Sequence, residues 1–236
     1  MAAPHELEFV VDVPACGTVR RHTGFDVHRP DGVDEPLPAV VLVPGPSPAQ
    51  YPIRPRDWPT YRGYGQLLAG RGVVGVVVDQ PFHGFTEWPA SAEDLAEIVE
   101  SVRALDGVDA TRIAVWAFSG GAMLVGRWLA ESPDWLRCLA LTYPMWLTPD
   151  ADTPADMVAP GRPLLLTRVG RELPDRQAMV DRFLARAHAT GTDVRVIDVP
   201  DGQHGFDALD HTEQSRQAVL EATDLVVGLT SPSGHL

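Results

Sequence analysis

A chain of 236 residues, 44% apolar and 22% charged, is long enough for one domain with a large core and too apolar for a disordered tract. Its formal net charge of −13 argues against nucleic acid as a partner, since phosphate binding needs clustered Lys and Arg. Two cysteines, Cys16 and Cys138, make neither a disulfide framework nor a zinc-ligand cluster. The N-terminal stretch MAAPHELEFVVDV lacks the basic and apolar regions of a signal peptide, and no apolar run reaches the roughly 18 residues that span a bilayer. These features lead to the expectation of a cytoplasmic protein, a single domain over 1–236, with no membrane and no nucleic acid among its partners.

Residues 6–13 and 18–29 read as two strands joined by the turn Pro14–Gly17, so that 1–30 supplies antiparallel edge strands. A buried strand at 38–44 follows, then a Pro-rich loop and a helix near 58–71. Next come a strand at 73–80 and a helix at 91–105. In that helix Leu95, Ile98, Val99, Val102 and Leu105 make one apolar stripe, and Ser91 is a plausible N-cap. A strand at 112–118 runs straight into a helix at 120–132. Further strands fall at 136–143, 163–168 and 193–199, with helices at 175–190 and 212–229. The stretch 143–162, rich in Pro and Asp, has room for a small cap only. Alternation of strand-length and helix-length segments predicts an α/β fold, a mostly parallel twisted sheet of about eight strands with helices on both faces. The last helix leaves monomer and homodimer both open.

The segment Ala117-Phe118-Ser119-Gly120-Gly121 joins a buried strand to an apolar helix. A nucleophilic serine on a tight strand-to-helix turn needs small residues two before and two after it, and Ala117 and Gly121 meet that demand. Such a turn exposes the hydroxyl at the sheet edge and sets the Gly120 N–H to receive a developing negative charge. The bland alternative is a serine that merely caps a helix. A serine nucleophile needs a base within hydrogen-bond reach, and His204, on the loop after the strand at 193–199, is the candidate. The third member, an acid to orient the imidazole, is expected after the strand at 163–168. Glu172 is preferred there, with Asp175 as the alternative unless it caps the following helix.

On these residues the chain resembles the α/β-hydrolase superfamily over nearly its whole length, within it the dienelactone-hydrolase-like and acyl-peptidase-like branch. The resemblance rests on the turn at Ser119, on Gly170-Arg171-Glu172 and on His204-Gly205-Phe206. The run Asp79-Gln80-Pro81-Phe82-His83-Gly84 is similar to the D-x-x-G-H-G turn of that superfamily, which implies a supporting role for His83. The resemblance implies the α/β-hydrolase fold with a minimal lid. It also implies hydrolysis of an ester, thioester or lactone of a small molecule through an acyl-enzyme on Ser119, with no metal and no organic cofactor.

The sequence departs from the superfamily at Ala117, which replaces a Gly, at Glu172, which replaces the commoner Asp, and at Pro46. Pro46 stands where a backbone N–H would help bind the oxyanion, and proline has none. The expected donors are Gly120 and, by a shifted loop path, Ser47, the alternative being that the second donor is missing. Pro46, Tyr51, Arg54 and Trp146 are the candidates to line the substrate pocket; Arg54 or Arg56 could meet a substrate anion there, the favoured alternative being solvated surface arginines, and core packing is the equal alternative for Trp146. Two other readings stay in play: acyl transfer, cyclisation or another rearrangement on the same fold, and a non-catalytic binding protein.

Overall fold

The computed structural model describes residues 4–79, 82–146 and 161–231. Within them one sheet is built from β1 (Thr18–His22), β2 (Phe25–Arg29), β3 (Leu37–Val43), β4 (Val74–Val78), β5 (Val108–Phe118), β6 (Leu136–Thr142), β7 (Leu164–Val169) and β8 (Val194–Val199). The strand order is β1-β2-β4-β3-β5-β6-β7-β8. β1 pairs with β2 and β2 with β4 in antiparallel register, and every other neighbouring pair is parallel. The helices are α1 (Pro59–Ala69), α2 (Trp88–Arg103), α3 (Gly126–Glu131), α4 (Pro174–Ala189), α5 (Phe206–Leu209) and α6 (Glu213–Thr230).

The central strands are apolar throughout because both faces of the sheet are covered. Along β3, Ala39, Val41 and Val43 face one layer, and Val40 and Leu42 face the other. The first layer takes Leu95, Val99 and Val102 from α2, Trp128 and Leu129 from α3, and Phe183 and Leu184 from α4. The second takes Tyr64, Leu67 and Leu68 from α1, and Ala218, Val219, Ala222 and Val226 from α6. From β3 the chain passes to β4 on one side, and β5 then returns to the other side of β3. At such a reversal the loops leaving two adjacent strands part to opposite faces and leave a crevice at the strand C-termini.

Three local expectations are corrected. Residues 6–13 are not a strand. Phe9 packs on the Tyr64 ring at 4.7 Å, and the Val10 N–H donates to the Asp207 carbonyl at 3.0 Å, so the alternating apolar positions are used against α1 and α5. The antiparallel pair lies wholly within 18–29, where Thr23-Gly24 turns β1 into β2. Ser91 is not an N-cap: α2 begins at Trp88 with Pro89 in its first turn, and Ser91 is buried inside the helix. The helix expected at 120–132 opens as a 3-10 turn, Ser119–Val125, before α3. Gln80, Pro81 and most of the cap stretch at 143–162 lie outside the described residues.

Candidate active site

Ser119 follows the last residue of β5, at the crevice between β3 and β5. Its φ is 51°, in the left-handed region that a residue with a side chain adopts only under constraint. The constraint is the tight path of the next two residues. A Cβ on Gly121 would lie 2.5 Å from the Val43 carbonyl oxygen and 2.8 Å from that of Pro44, so only glycine lets the chain cross over β3 there. The turn lifts the Ser119 hydroxyl out of the sheet edge.

His204 comes from the loop between β8 and α5. Ser119 Oγ donates to His204 Nε2 at 2.7 Å, and His204 Nδ1 donates to Glu172 Oε2 at 2.5 Å. The loops that carry the acid and the imidazole are zipped together: Gly170 N–H donates to the Val199 carbonyl at 2.9 Å and Arg171 N–H to that of Gly202 at 3.0 Å. The Glu172 side chain is almost wholly enclosed, and burial by itself opposes its ionisation. Hydrogen bonds from His204 and the Leu173 N–H, with the charges of His204 and Arg176, outweigh burial and hold its carboxyl below the usual range. Asp175, the alternative acid, is exposed in the first turn of α4, one residue after Pro174; it neither caps the helix nor joins this series.

Behind the imidazole lies a second carboxylate. Asp207 is buried at 1% exposure and accepts hydrogen bonds from the Tyr143 hydroxyl at 2.8 Å and the Tyr64 hydroxyl at 3.1 Å. Burial pushes its carboxyl up to about 6, against the pull of those two phenols and of His204. The Tyr143 ring lies 4.8 Å from the His204 ring, and Tyr143 itself has a φ of 37°.

The space in front of Ser119 is a cavity of about 390 Å³, lined by Pro46, Tyr51, Trp58, Tyr61, Tyr143 and Leu7 among others. Its walls are aromatic and aliphatic, and its charged lining residues are Asp207 and the ionisable His204. The loop 44–58 is clamped against the turn after β4: Ser47 N–H donates to the Phe82 carbonyl at 2.8 Å, and His83 Nδ1 lies 2.9 Å from the Ser47 carbonyl oxygen. Among the described residues no helix is long and apolar enough to cross a membrane, and no cluster of three or more His, Cys, Asp or Glu is arranged to hold a metal ion.

No protein-family model matches this sequence, and no curated protein matches it either. Solved structures do. A thermostable esterase from Pseudomonas putida superposes with a TM-score of 0.74 at 17% identity, covering 94% of this chain and 86% of its own. An esterase from Pyrobaculum calidifontis gives 0.70 at 20% identity, with 93% and 87% covered. A candidate dienelactone hydrolase from Klebsiella pneumoniae gives 0.66 at 16% identity, with 87% and 91% covered. The chain has the α/β-hydrolase fold.

Within this fold three sequence expectations are corrected. Arg54 does not face the cavity. Its Nε donates to Asp79 Oδ1 at 3.2 Å, and Arg56 Nε pairs with Asp79 Oδ2 at 2.8 Å, so both arginines neutralise a buried carboxylate behind the loop. Trp146 is 1% exposed and stacks on Phe183 at 4.9 Å, which makes it core against α4 and no part of the cavity wall. The Ser47 N–H is spent on the Phe82 carbonyl and is not open to an oxyanion. Pro46 and Tyr51 do line the cavity, and Gly120 N–H lies in the first turn after Ser119, where N–H groups have no partner within the helix. The sequence reading missed Asp207, Tyr61, Tyr64, Tyr143 and Leu7. They come from four separate stretches, the segment before β1, α1, the end of β6 and α5, and no local spacing joins them.

Proposed function

We propose that this protein is a serine hydrolase that cleaves an ester, thioester or lactone of a small molecule, with Ser119 as nucleophile, His204 as general base and Glu172 as the acid that orients it. The observation that carries the reading is the unbroken hydrogen-bonded series from Ser119 through His204 to Glu172, at the edge of the sheet where this fold opens a crevice. The esterases among the structural neighbours support it.

In the first step Ser119 Oγ bonds to the substrate carbonyl carbon and its proton passes to His204 Nε2. The carbonyl π pair moves onto oxygen and leaves an oxyanion. The imidazolium so formed is held by the Glu172 carboxylate, which stays ionised for the reasons given above. Collapse of the tetrahedral intermediate breaks the bond to the leaving alcohol or thiol, which takes the proton from His204. Water then attacks the acyl-enzyme and gives a proton to His204; the second collapse releases the acid and returns that proton to Ser119. The aromatic and aliphatic cavity walls favour a small substrate with an apolar acyl or alcohol part.

The test is intact-mass spectrometry after incubation with a fluorophosphonate, together with p-nitrophenyl butyrate hydrolysis. Wild type should gain one adduct and Ser119→Ala none, with the variant's turnover down by roughly 10⁴-fold or more. An unlabelled, well-folded wild type would sink the acyl-enzyme and return the fold to a binding role or to chemistry without a serine nucleophile.

A further inference from the structure

Two hydrogen bonds hold His204 at its ring nitrogens, to Ser119 through Nε2 and to Glu172 through Nδ1. Both act in the plane of the imidazole, so they leave it free to rock about the line between the two nitrogens. The ring torsion of a histidine is broad and adds little restraint of its own. Packing of the ring has to supply the rest. Part of the side chain is open to the cavity, at 23% exposure. On the protein side stands Tyr143, whose ring centre lies 4.8 Å from that of the imidazole at a tilt of 52°.

Tyr143 does not rest there at ease. Its φ of 37° is left-handed, a conformation that a residue with a side chain keeps only where its surroundings over-determine it. They do so at both ends of the residue. The Tyr143 N–H donates to the Thr167 carbonyl at 2.9 Å, and its hydroxyl donates across both carboxylate oxygens of Asp207, at 2.8 and 2.9 Å. Phe206 meets the Tyr143 ring edge-on at 5.9 Å. Asp207 is itself pinned: the Tyr64 hydroxyl donates to its Oδ2 at 3.1 Å, and the Val10 N–H donates to its main-chain carbonyl at 3.0 Å. The bend at Tyr143 also returns the chain to the nucleophile, where the Met145 N–H donates to the Ser119 carbonyl at 3.0 Å. A buried carboxylate that stands outside the Ser119–His204–Glu172 series thus fixes the ring that the imidazole packs on.

We infer that Tyr143 is a positioning residue of this enzyme, the stop that keeps the His204 imidazole in line between Ser119 and Glu172, and that Asp207 is the anchor holding it in place. The inference rests on the acyl-enzyme reading above. Tyr143 acts through His204 and takes no proton in the reaction. Its contribution is alignment, and a small misplacement of a reacting group is costly in rate, by up to about 10²-fold for 1 Å.

The experiment is Tyr143→Phe, which keeps the ring and deletes the oxygen that ties it to Asp207. With p-nitrophenyl butyrate, kcat should fall by roughly 10–100-fold while KM stays within about threefold. The low-field proton NMR resonance of His204 Nδ1–H, sharp in wild type, should broaden through exchange with water. 4-Aminophenylalanine at position 143 restores a donor on the same ring and should bring kcat back to within about threefold of wild type. A purely structural tyrosine would lower Tm on loss of its hydroxyl and leave both kcat and the resonance of the folded enzyme unchanged. That outcome in a wild type labelled by fluorophosphonate would overturn this inference alone, as would a 4-aminophenylalanine enzyme no faster than Tyr143→Phe. A wild type that is neither labelled nor active would overturn the acyl-enzyme reading with it. Should Tyr143→Phe fail to fold, Asp207→Asn carries the test, because it removes one of the two acceptor oxygens that the phenol spans. There kcat should fall by about three- to tenfold with the same broadening, and wild-type values of both would overturn the assignment.

Discussion

Two carboxylates stand near His204, and their surroundings drive them apart. Glu172 is held below the usual carboxylate range because hydrogen bonds and positive charge outweigh its burial, whereas Asp207 is raised to about 6 because burial outweighs its two phenols. Glu172→Gln keeps the shape and removes the charge; kcat should drop by roughly 10³–10⁴-fold, while Asp175→Ala should leave it within about twofold in the same ester assay. For Asp207 the consequence is one of stability. Unfolded, its carboxyl ionises near 3.8; folded, at about 6. The native state therefore holds this proton more tightly, and the stability present below about pH 4 is lost as the pH rises through 6. Asp207→Asn cannot ionise. Measured as the difference in unfolding free energy from wild type, it should gain about 3 kcal/mol between roughly pH 4 and pH 8, and a flat difference would contradict the buried charge. Ser119, His204 and Glu172 could be picked out of the sequence because each sits in a short pattern fixed by a strand end. Asp207 and its phenols could not, since the pattern joining them exists only in space.

The turn that carries Ser119 holds a strained backbone, and Gly121 is what permits it. With a Cβ only 2.5 Å from a main-chain oxygen of β3, no side-chain rotation relieves the clash in Gly121→Ala. That substitution should cost about 2–4 kcal/mol in denaturant unfolding and abolish fluorophosphonate labelling by moving the hydroxyl away from His204. The buried strands were easy to recognise at this scale, because both layers of core impose continuous apolar runs on β3, β4 and β6. Residues 6–13 misled for a physical reason. Their alternation is that of a half-buried strand, yet the surface they cover belongs to α1 and α5, and only Val10 among 5–13 is fully enclosed. Arg54 and Trp146 misled in the same way. A loop arginine and a loop tryptophan near a nucleophile suggest a ligand, but Asp79 claims the first and Phe183 the second.

Across the whole molecule the net charge is −13, and Arg54 and Arg56, on the loop that walls the cavity, are tied to Asp79. A substrate that carries a carboxylate thus meets a repelling field and, among the described residues, finds no cation in the cavity walls apart from a protonated His204. A neutral ester and its analogue with a terminal carboxylate should differ by about tenfold or more in kcat/KM, in favour of the neutral one. The gap should narrow as salt is raised toward about 1 M, where the screening length falls to ~3 Å. Equal constants at low salt would show that the field does not reach the site. The order of the strands was beyond the sequence, because it depends on which way each crossover turns, and that choice places the crevice between β3 and β5.

The segment before β1 forms one wall of the cavity through Leu7 and is pinned by the bond from Val10 to the Asp207 carbonyl. Leu7 and the residues that follow it to Val10 thus lie beside the cavity. A start shifted past Val10 strips the wall, bares the α5 carbonyl beside the buried carboxylate, and yields a protein whose selectivity is no longer that of the parent.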